Sequence, residues 1–325
     1  MDNHTRKAII LEFEKPILQI ENQLDELTKL ADQHNIKINA PIKNLYNKTR
    51  IIKEKIFEGL TPEQRLQLAR FSRRPTTLDY IHGITENWIE LHGDRRGSDD
   101  PAMVVGLGQI SQQPVILIGQ QKGRNTKENV ARNFGMPSPG GYRKALRMIQ
   151  HANQFNIPIL TFIDTPGAWA GVNAEKLGQG EAIASNLREF FSIKVPIICT
   201  VIGEGGSGGA LGIGVADHII MLENSVYTVA TPEACAAILW NDATQASTAA
   251  EALKITAQDL HVLGIIDEIL PEPVGGAHKN PAWIIEQLRS LLKYNLSHLQ
   301  KLSVSELKSY RYYKFRKIGL FYEKF

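Results

Sequence analysis

Three proline-led apolar runs, about forty residues apart, do most to limit the folds open to this chain. Pro114-Val115-Ile116-Leu117-Ile118 ends at Gly119. Pro158-Ile159-Leu160-Thr161-Phe162-Ile163 ends at Asp164-Thr165-Pro166-Gly167. Pro196-Ile197-Ile198-Cys199-Thr200-Val201-Ile202 ends at Gly203. Each is short, uncharged and β-branched, as a buried strand is. Each leads through a turn into a helical segment, and His218–Leu222 and Val226–Val229 add two short strands. The expected fold is α/β, a stack of β-β-α units, with a doubly wound sheet as the competing arrangement.

The third run leads into Gly203-Glu204-Gly205-Gly206-Ser207-Gly208-Gly209, then small and apolar residues to Ala216. Glycines at a strand-to-helix turn bring bare backbone N–H groups to the head of a helix, where they can hold an anion or a developing oxyanion. Four readings fit. Gly203, Gly205 and Gly208 match a dinucleotide fingerprint with Glu223 downstream, although that motif belongs to the first unit of its domain. Gly205-Gly206-Ser207-Gly208-Gly209 matches a nucleophile elbow, with Asp267 and His278 following in hydrolase order. An oxyanion hole of backbone amides needs Ser207 only to be small. A tight packing turn needs no chemistry at all.

Elsewhere the pattern gives helices and turns. Apolar spacing over residues 8–33, and from Ile42 to Gly59, predicts an αα-hairpin. Thr61-Pro62-Glu63-Gln64 starts a helix that ends near Phe71. Helices are expected over Asp79–Leu91, Tyr142–Phe155, Glu175–Phe191, Pro232–Trp240, Ala243–Ala252 and Trp283–His298, and a last strand over Ile265–Leu270. Asp164-Thr165-Pro166-Gly167 shares D-x-x-G with GTPases, but no phosphate-binding loop accompanies it. The basic and aromatic tail, Tyr310–Lys317, is expected to pack on the protein's own core rather than on nucleic acid or membrane. The division expected is a helical arm over 1–60, a catalytic domain over 61–300 and a tail over 301–325.

With 325 residues and 43% hydrophobic content, the chain has ample material for a core. A net charge of +3 gives no argument for nucleic acid. Two cysteines, Cys199 and Cys235, cannot make a Cys-rich zinc site and suit a reducing compartment. No apolar run has transmembrane length, and early acidic residues (Glu12, Glu14) argue against a leader segment.

Taken together, the glycine run and Asp164-Thr165-Pro166-Gly167-Ala168 resemble the alpha subunit of the acetyl-CoA carboxylase carboxyltransferase of bacteria and plastids. Further matches are Arg74-Pro75, Thr77-Leu78-Asp79-Tyr80, His92-Gly93-Asp94-Arg95, Gln121-Lys122-Gly123-Arg124, Arg132-Asn133-Phe134-Gly135-Met136, Pro232-Glu233 with Cys235, and Pro271-Glu272-Pro273 with Gly275-Gly276-Ala277-His278. The resemblance implies a crotonase-type spiral. It implies transfer of carboxylate from a carboxybiotin, borne on the biotin carboxyl carrier protein, to acetyl-CoA, giving malonyl-CoA for fatty acid synthesis. It also implies assembly with a beta subunit that carries a zinc ribbon and the CoA site, in an α2β2 heterotetramer served by a biotin carboxylase. No metal is expected in this chain.

On that reading Gly205 and Gly206 supply the stabilising amides. Asp164, Pro166, Gly167, Trp169, Gly208 and Gly209 border the carboxybiotin. Trp169-Ala170, Thr231 and Ala234 stand where other members have Tyr-Pro, Ser and Gly. These forms look closest to cyanobacterial and plastid members. The resemblance implies a plastid stroma and an organelle-encoded subunit as the expectation, with a bacterial cytoplasm as the alternative.

Overall fold

The computed structural model describes residues 11–34 and 39–319. The chain opens with α1 (Lys15–Gln33) and α2 (Asn39–Glu58), which pair as the expected hairpin. Tyr46 donates to Asp25 at 2.7 Å and Lys53 pairs with Glu21 at 2.8 Å. The arm docks through Ile17, Phe57, Leu60 and Leu68. Ile20, Leu27 and Ile52, also in the apolar pattern, remain exposed. The expected start of α1 before Leu11 and the link at Asn35 lie outside the described residues.

Next comes α3 (Pro62–Ala69), started by a complete capping box between Thr61 and Gln64. After it come α4 (Thr77–Ile84) and the strand β1 (Glu86–Glu90). The helix expected over Asp79–Leu91 therefore stops early. Thr85 is already extended and leads into an edge strand whose Ile89 carbonyl presses on Gly106, where a Cβ would lie 2.2 Å away. The strands β2 (Met103–Ile110) and β3 (Gln113–Gln120) form an antiparallel hairpin. Its turn uses Ser111 and Gln112 at φ 49° and 70°, without the Asn-Gly signal such turns usually carry. Gly106 and Gly108 also break the apolar run, so the sequence pattern does not mark β2.

Beyond β3 lie α5 (Thr126–Ala131), α6 (Pro139–Phe155) and β4 (Ile159–Thr165). The helix expected from Glu175 is two, α7 (Val172–Lys176) and α8 (Gln179–Ser192), divided at Gly178 with φ 79°. Then follow β5 (Ile197–Gly206), α9 (Ser207–Leu211), β6 (His218–Leu222) and β7 (Val226–Thr228). The chain closes with α10 (Pro232–Trp240), α11 (Ala246–Leu253), α12 (Ala257–Val262), β8 (Glu268–Leu270), α13 (Pro281–Leu299) and α14 (Val304–Arg316).

Along the main sheet the strand order is β1-β2-β3-β4-β5-β6-β8, and β3 to β8 are parallel. Neighbours follow chain order, without the reversal that defines a doubly wound sheet. On the edge away from β4, the long strand β5 serves two partners: Ile198–Val201 pair with β6, and Glu204–Gly206 pair with β7. This long-plus-short strand pairing is the β-β-α turn of a spiral.

Both sheet faces are buried. Ile116, Ile118, Ile197, Cys199 and Val201 face α6, α8 and α12. Leu117, Leu160, Ile198 and Ile202 face α4 and α13, including Tyr80, Ile284 and Leu288. The tail packs on the core, as expected. Arg311 is wholly buried against Asp217, and Lys314 pairs with Asp267.

Under α3, the His278 ring packs on Phe71 with centroids 4.6 Å apart. Burial, with the Lys279 and Arg74 charges, pushes its pKa down to about 4. The unfolded chain, with an ordinary His pKa of about 6.5, then binds the proton first. This contribution to stability is complete above that value and is lost as the pH falls from about 6.5 towards 4. In His278→Phe the rise of unfolding free energy with pH across that window should flatten, by up to about one proton.

Candidate active site

The parallel strands β3, β4 and β5 end side by side, and their exit loops meet. Two glycines of the run allow that meeting. A Cβ on Gly206 would lie 2.0 Å from the Pro166 carbonyl oxygen, and one on Gly209 would lie 2.3 Å from the Gly167 carbonyl carbon. No side chain fits between these backbones. At Gly203 a Cβ would meet Asp164 Oδ1 at 2.5 Å, and at Gly205 it would meet the Tyr227 ring at 2.8 Å. Gly208 differs, because its nearest neighbour, the Ile183 Cδ1, would be 3.8 Å away.

The strand runs further than its apolar residues. Gly205 and Gly206 are the last residues of β5, and the helix starts at Ser207. Successive strand amides point to opposite edges. The Glu204 N–H points towards β4 and donates to Asp164 Oδ1 at 3.1 Å. Gly206 therefore points the same way, towards the Pro166–Ala168 loop, while Gly205 points to β7. The two amides do not converge on one atom. What converges is the Gly206–Gly209 step with the loop it touches.

A chain of charges lies against this corner. Lys122 Nζ sits 2.7 Å from Asp164 Oδ1 and 3.4 Å from Glu204 Oε2. Burial disfavours its charge, but the two carboxylates outweigh that and raise its pKa. Glu204 is also held by Arg70 at 2.7 Å, and Arg70 reaches Glu233 at the same distance. Burial works against the Glu204 charge, yet Lys122 and Arg70 hold its pKa below the usual carboxylate range. Arg74 donates to Glu272 at 2.8 Å and to the Ile202 carbonyl at 3.1 Å.

Two hollows open beside the corner. One, of about 240 Å³, is lined by Arg70, Lys122, Phe134, Asp164, Pro166 and Glu204. Phe134 borders it from a left-handed run, Asn133 to Gly135, with φ of 46°, 56° and 76°. The other, of about 500 Å³, is lined by Ala168, Trp169, Val172, Gln179 and Ile183. Trp169 thus borders a pocket. Among the residues singled out from sequence, Asp164, Pro166, Gly167, Gly206 and Gly209 come together, with Trp169 and Gly208 at the margin. Lys122 was legible only as part of a motif and Glu204 only as a residue within the glycine run, and Arg70 stood in no motif. Gln120 carried no signal beyond being a polar residue at the end of an apolar strand.

The competing readings fail on geometry. Asp267 is committed to Lys314 and to the Ile219 N–H, and His278 Nδ1 has no partner, so no hydrogen bond joins either to Ser207. Glu223 accepts the Glu272 N–H at 2.9 Å rather than standing at a nucleotide ribose. Among the described residues, no helix is long and apolar enough to cross a membrane.

Comparison with known proteins agrees with this geometry. A family described as acetyl co-enzyme A carboxylase carboxyltransferase-like matches residues 10–319. The acetyl-coenzyme A carboxylase carboxyl transferase subunit alpha of the cyanobacterium Thermosynechococcus vestitus is 61% identical, over 98% of both chains. The protein of the same description from the red alga Pyropia yezoensis is 60% identical, over 99% of this chain and all of the other. Among solved structures, the beta subunit of the Pseudomonas aeruginosa geranyl-CoA carboxylase aligns over 77% of this chain and 46% of its own, with a TM-score of 0.56 at 18% identity. A Pseudomonas malonate decarboxylase hetero-tetramer in complex with coenzyme A aligns over 69% and 88%, with the same score and identity. These likenesses establish the crotonase-type fold. The chain belongs to the acetyl-CoA carboxylase carboxyltransferase alpha-subunit family.

Proposed function

We propose that this chain forms the carboxybiotin half of a carboxyltransferase that converts acetyl-CoA to malonyl-CoA. The observation that carries the reading is the backbone contact between the Pro166–Ala168 loop and the Gly206–Gly209 step at the ends of β4 and β5. Carboxybiotin, the co-substrate, arrives on the biotin carboxyl carrier protein after a biotin carboxylase has charged it. Breaking its N1–carboxylate bond releases carbon dioxide and leaves the electron pair on the ureido group, largely on its oxygen. Backbone N–H groups aimed at that oxygen stabilise it, each by about 3 kcal/mol in comparable oxyanion holes. Of the two expected amides, Gly206 at the step takes this role, and the Gly205 N–H, which points to β7, does not share it. Asp164, Pro166, Gly167, Trp169, Gly208 and Gly209 border the ring.

The acceptor is the acetyl-CoA enolate. The freed biotin nitrogen takes the methyl proton, and the new carbon–carbon bond forms with the released carbon dioxide. The CoA site and a zinc ribbon belong to the beta subunit, and the assembly is α2β2. The relatives from cyanobacteria and a red alga favour a plastid stroma, with a bacterial cytoplasm as the alternative.

Ser207 is not a nucleophile on this reading. Ser207→Ala, assembled with a cognate beta subunit, should form malonyl-CoA within about twofold of wild type, and the wild type should not react with a fluorophosphonate probe. An inactive Ser207→Ala complex together with labelled Ser207 would replace carboxyl transfer with acyl hydrolysis.

A further inference from the structure

We propose that Gln120 is a positioning residue for carboxyl transfer, its carboxamide setting the distance between the two loops that hold the reacting group. The proposal rests on the function given above. Gln120 ends β3 and is wholly buried. Its Oε1 accepts the Asp164 N–H at 3.1 Å, and its Nε2 donates to the Gly209 carbonyl at 2.9 Å. One side chain thus ties the end of β4 to the head of α9. The Asp164 N–H can only donate and the Gly209 carbonyl can only accept. A single orientation of the carboxamide satisfies both. Apart from a protonated Glu, no other side chain of that length presents one donor and one acceptor.

The helix itself does not fix that carbonyl. The helix α9 is a single turn, and the Ile213 N–H goes to Ala210 rather than to Gly209. The second bond to the Gly209 carbonyl comes from the Tyr142 hydroxyl on α6, at 3.0 Å. Asn186 on α8 in turn holds the Tyr142 and Gly212 carbonyls at 3.1 and 3.0 Å. The Gly209 backbone lies directly against Gly167. A shift of Gly209 therefore moves the amide step relative to the Pro166–Ala168 loop. Displacements on the order of 1 Å at a reacting centre cost about a hundredfold in rate.

The test uses the assembled complex with a cognate beta subunit and a biotinylated carrier protein. Gln120→Met, which keeps the length and loses both bonds, should lower kcat about a hundredfold. The KM for acetyl-CoA, which is held by the partner, should stay within about twofold. Gln120→Glu supplies a readout that general loosening would not move. As a carboxylate it repels the Gly209 carbonyl, and as a neutral acid it reproduces donor and acceptor. Burial raises its pKa, so its kcat relative to wild type should recover as the pH is lowered.

Tyr142→Phe should cost several-fold in kcat, since Gln120 still holds the carbonyl. If Gln120→Met fails to assemble, Gln120→Glu decides the matter, because a kcat ratio that does not recover as the pH is lowered overturns the proposal. A Gln120→Met complex with wild-type kcat, beside an inactive Gly206→Val, overturns it and leaves carboxyl transfer standing. An inactive wild-type complex overturns both.

Discussion

Gly206→Val should abolish malonyl-CoA formation, by about a thousandfold or more, in a complex that still assembles. A Cβ at this position would lie 2.0 Å from the Pro166 carbonyl oxygen and 2.3 Å from its carbon. Both obstacles are backbone, so no rotamer relieves the overlap. Ordinary contact requires the two loops to part by more than 1 Å. That separation removes the alignment of the amides with the ureido oxygen, and an amide no longer aimed at developing charge forfeits its contribution. The cost to folding is smaller, about 1–3 kcal/mol for an overpacked site, so assembly should survive and the loss should lie in kcat. Gly208→Ala is the matched control. Its Cβ would meet nothing closer than 3.8 Å, so the variant should fold and assemble as wild type does. Steady-state assays on both, with assembly followed by size-exclusion chromatography, check the pair.

Arg311→Met should be the most destabilising single change away from the site. The guanidinium is fully buried and donates to Asp217 Oδ1 at 2.8 Å and Oδ2 at 2.7 Å. It also donates to the Phe190, Ile193 and Val195 carbonyls at 2.6, 2.9 and 3.0 Å. Removing it orphans three carbonyls and a buried carboxylate. Burial already pushes the Asp217 carboxyl above its usual range, although Arg311 and the Ile197 N–H pull it back. Breaking a buried pair from one side typically costs about 3–5 kcal/mol. Thermal unfolding should show a fall in Tm on the order of 10 °C. Asp217→Asn in the same background should return part of the loss, because the uncompensated charge disappears. An Arg311→Met chain as stable as wild type would mean that α14 does not anchor the core.

Much of the fold was legible, for definite reasons. The runs at Pro114, Pro158 and Pro196 are uncharged because strands buried on both faces must be. Thr61-Pro62-Glu63-Gln64 reads as a helix start because its capping box closes locally. The strands β1 and β2 were hidden for opposite reasons. The first is an edge strand with an exposed face, and the second has glycines where β1 and the Thr85 side chain press against it.

The glycine run announced the site but not its geometry. Sequence cannot distinguish a glycine that ends a strand, such as Gly206, from one that begins a turn. The direction of its amide depends on the pairing with β4 and β7. Gln120 and Tyr142 act across 89 and 67 residues on the same carbonyl, and only the folded chain brings them together.

The most direct test of the account is malonyl-CoA formation from acetyl-CoA and carboxybiotin, measured with this chain alone, with a cognate beta subunit alone, and with the two combined. Activity in the mixture and in neither chain separately is the predicted result. A mixture that assembles and forms no malonyl-CoA would contradict it, leaving the spiral fold in place and the glycine step without its reaction.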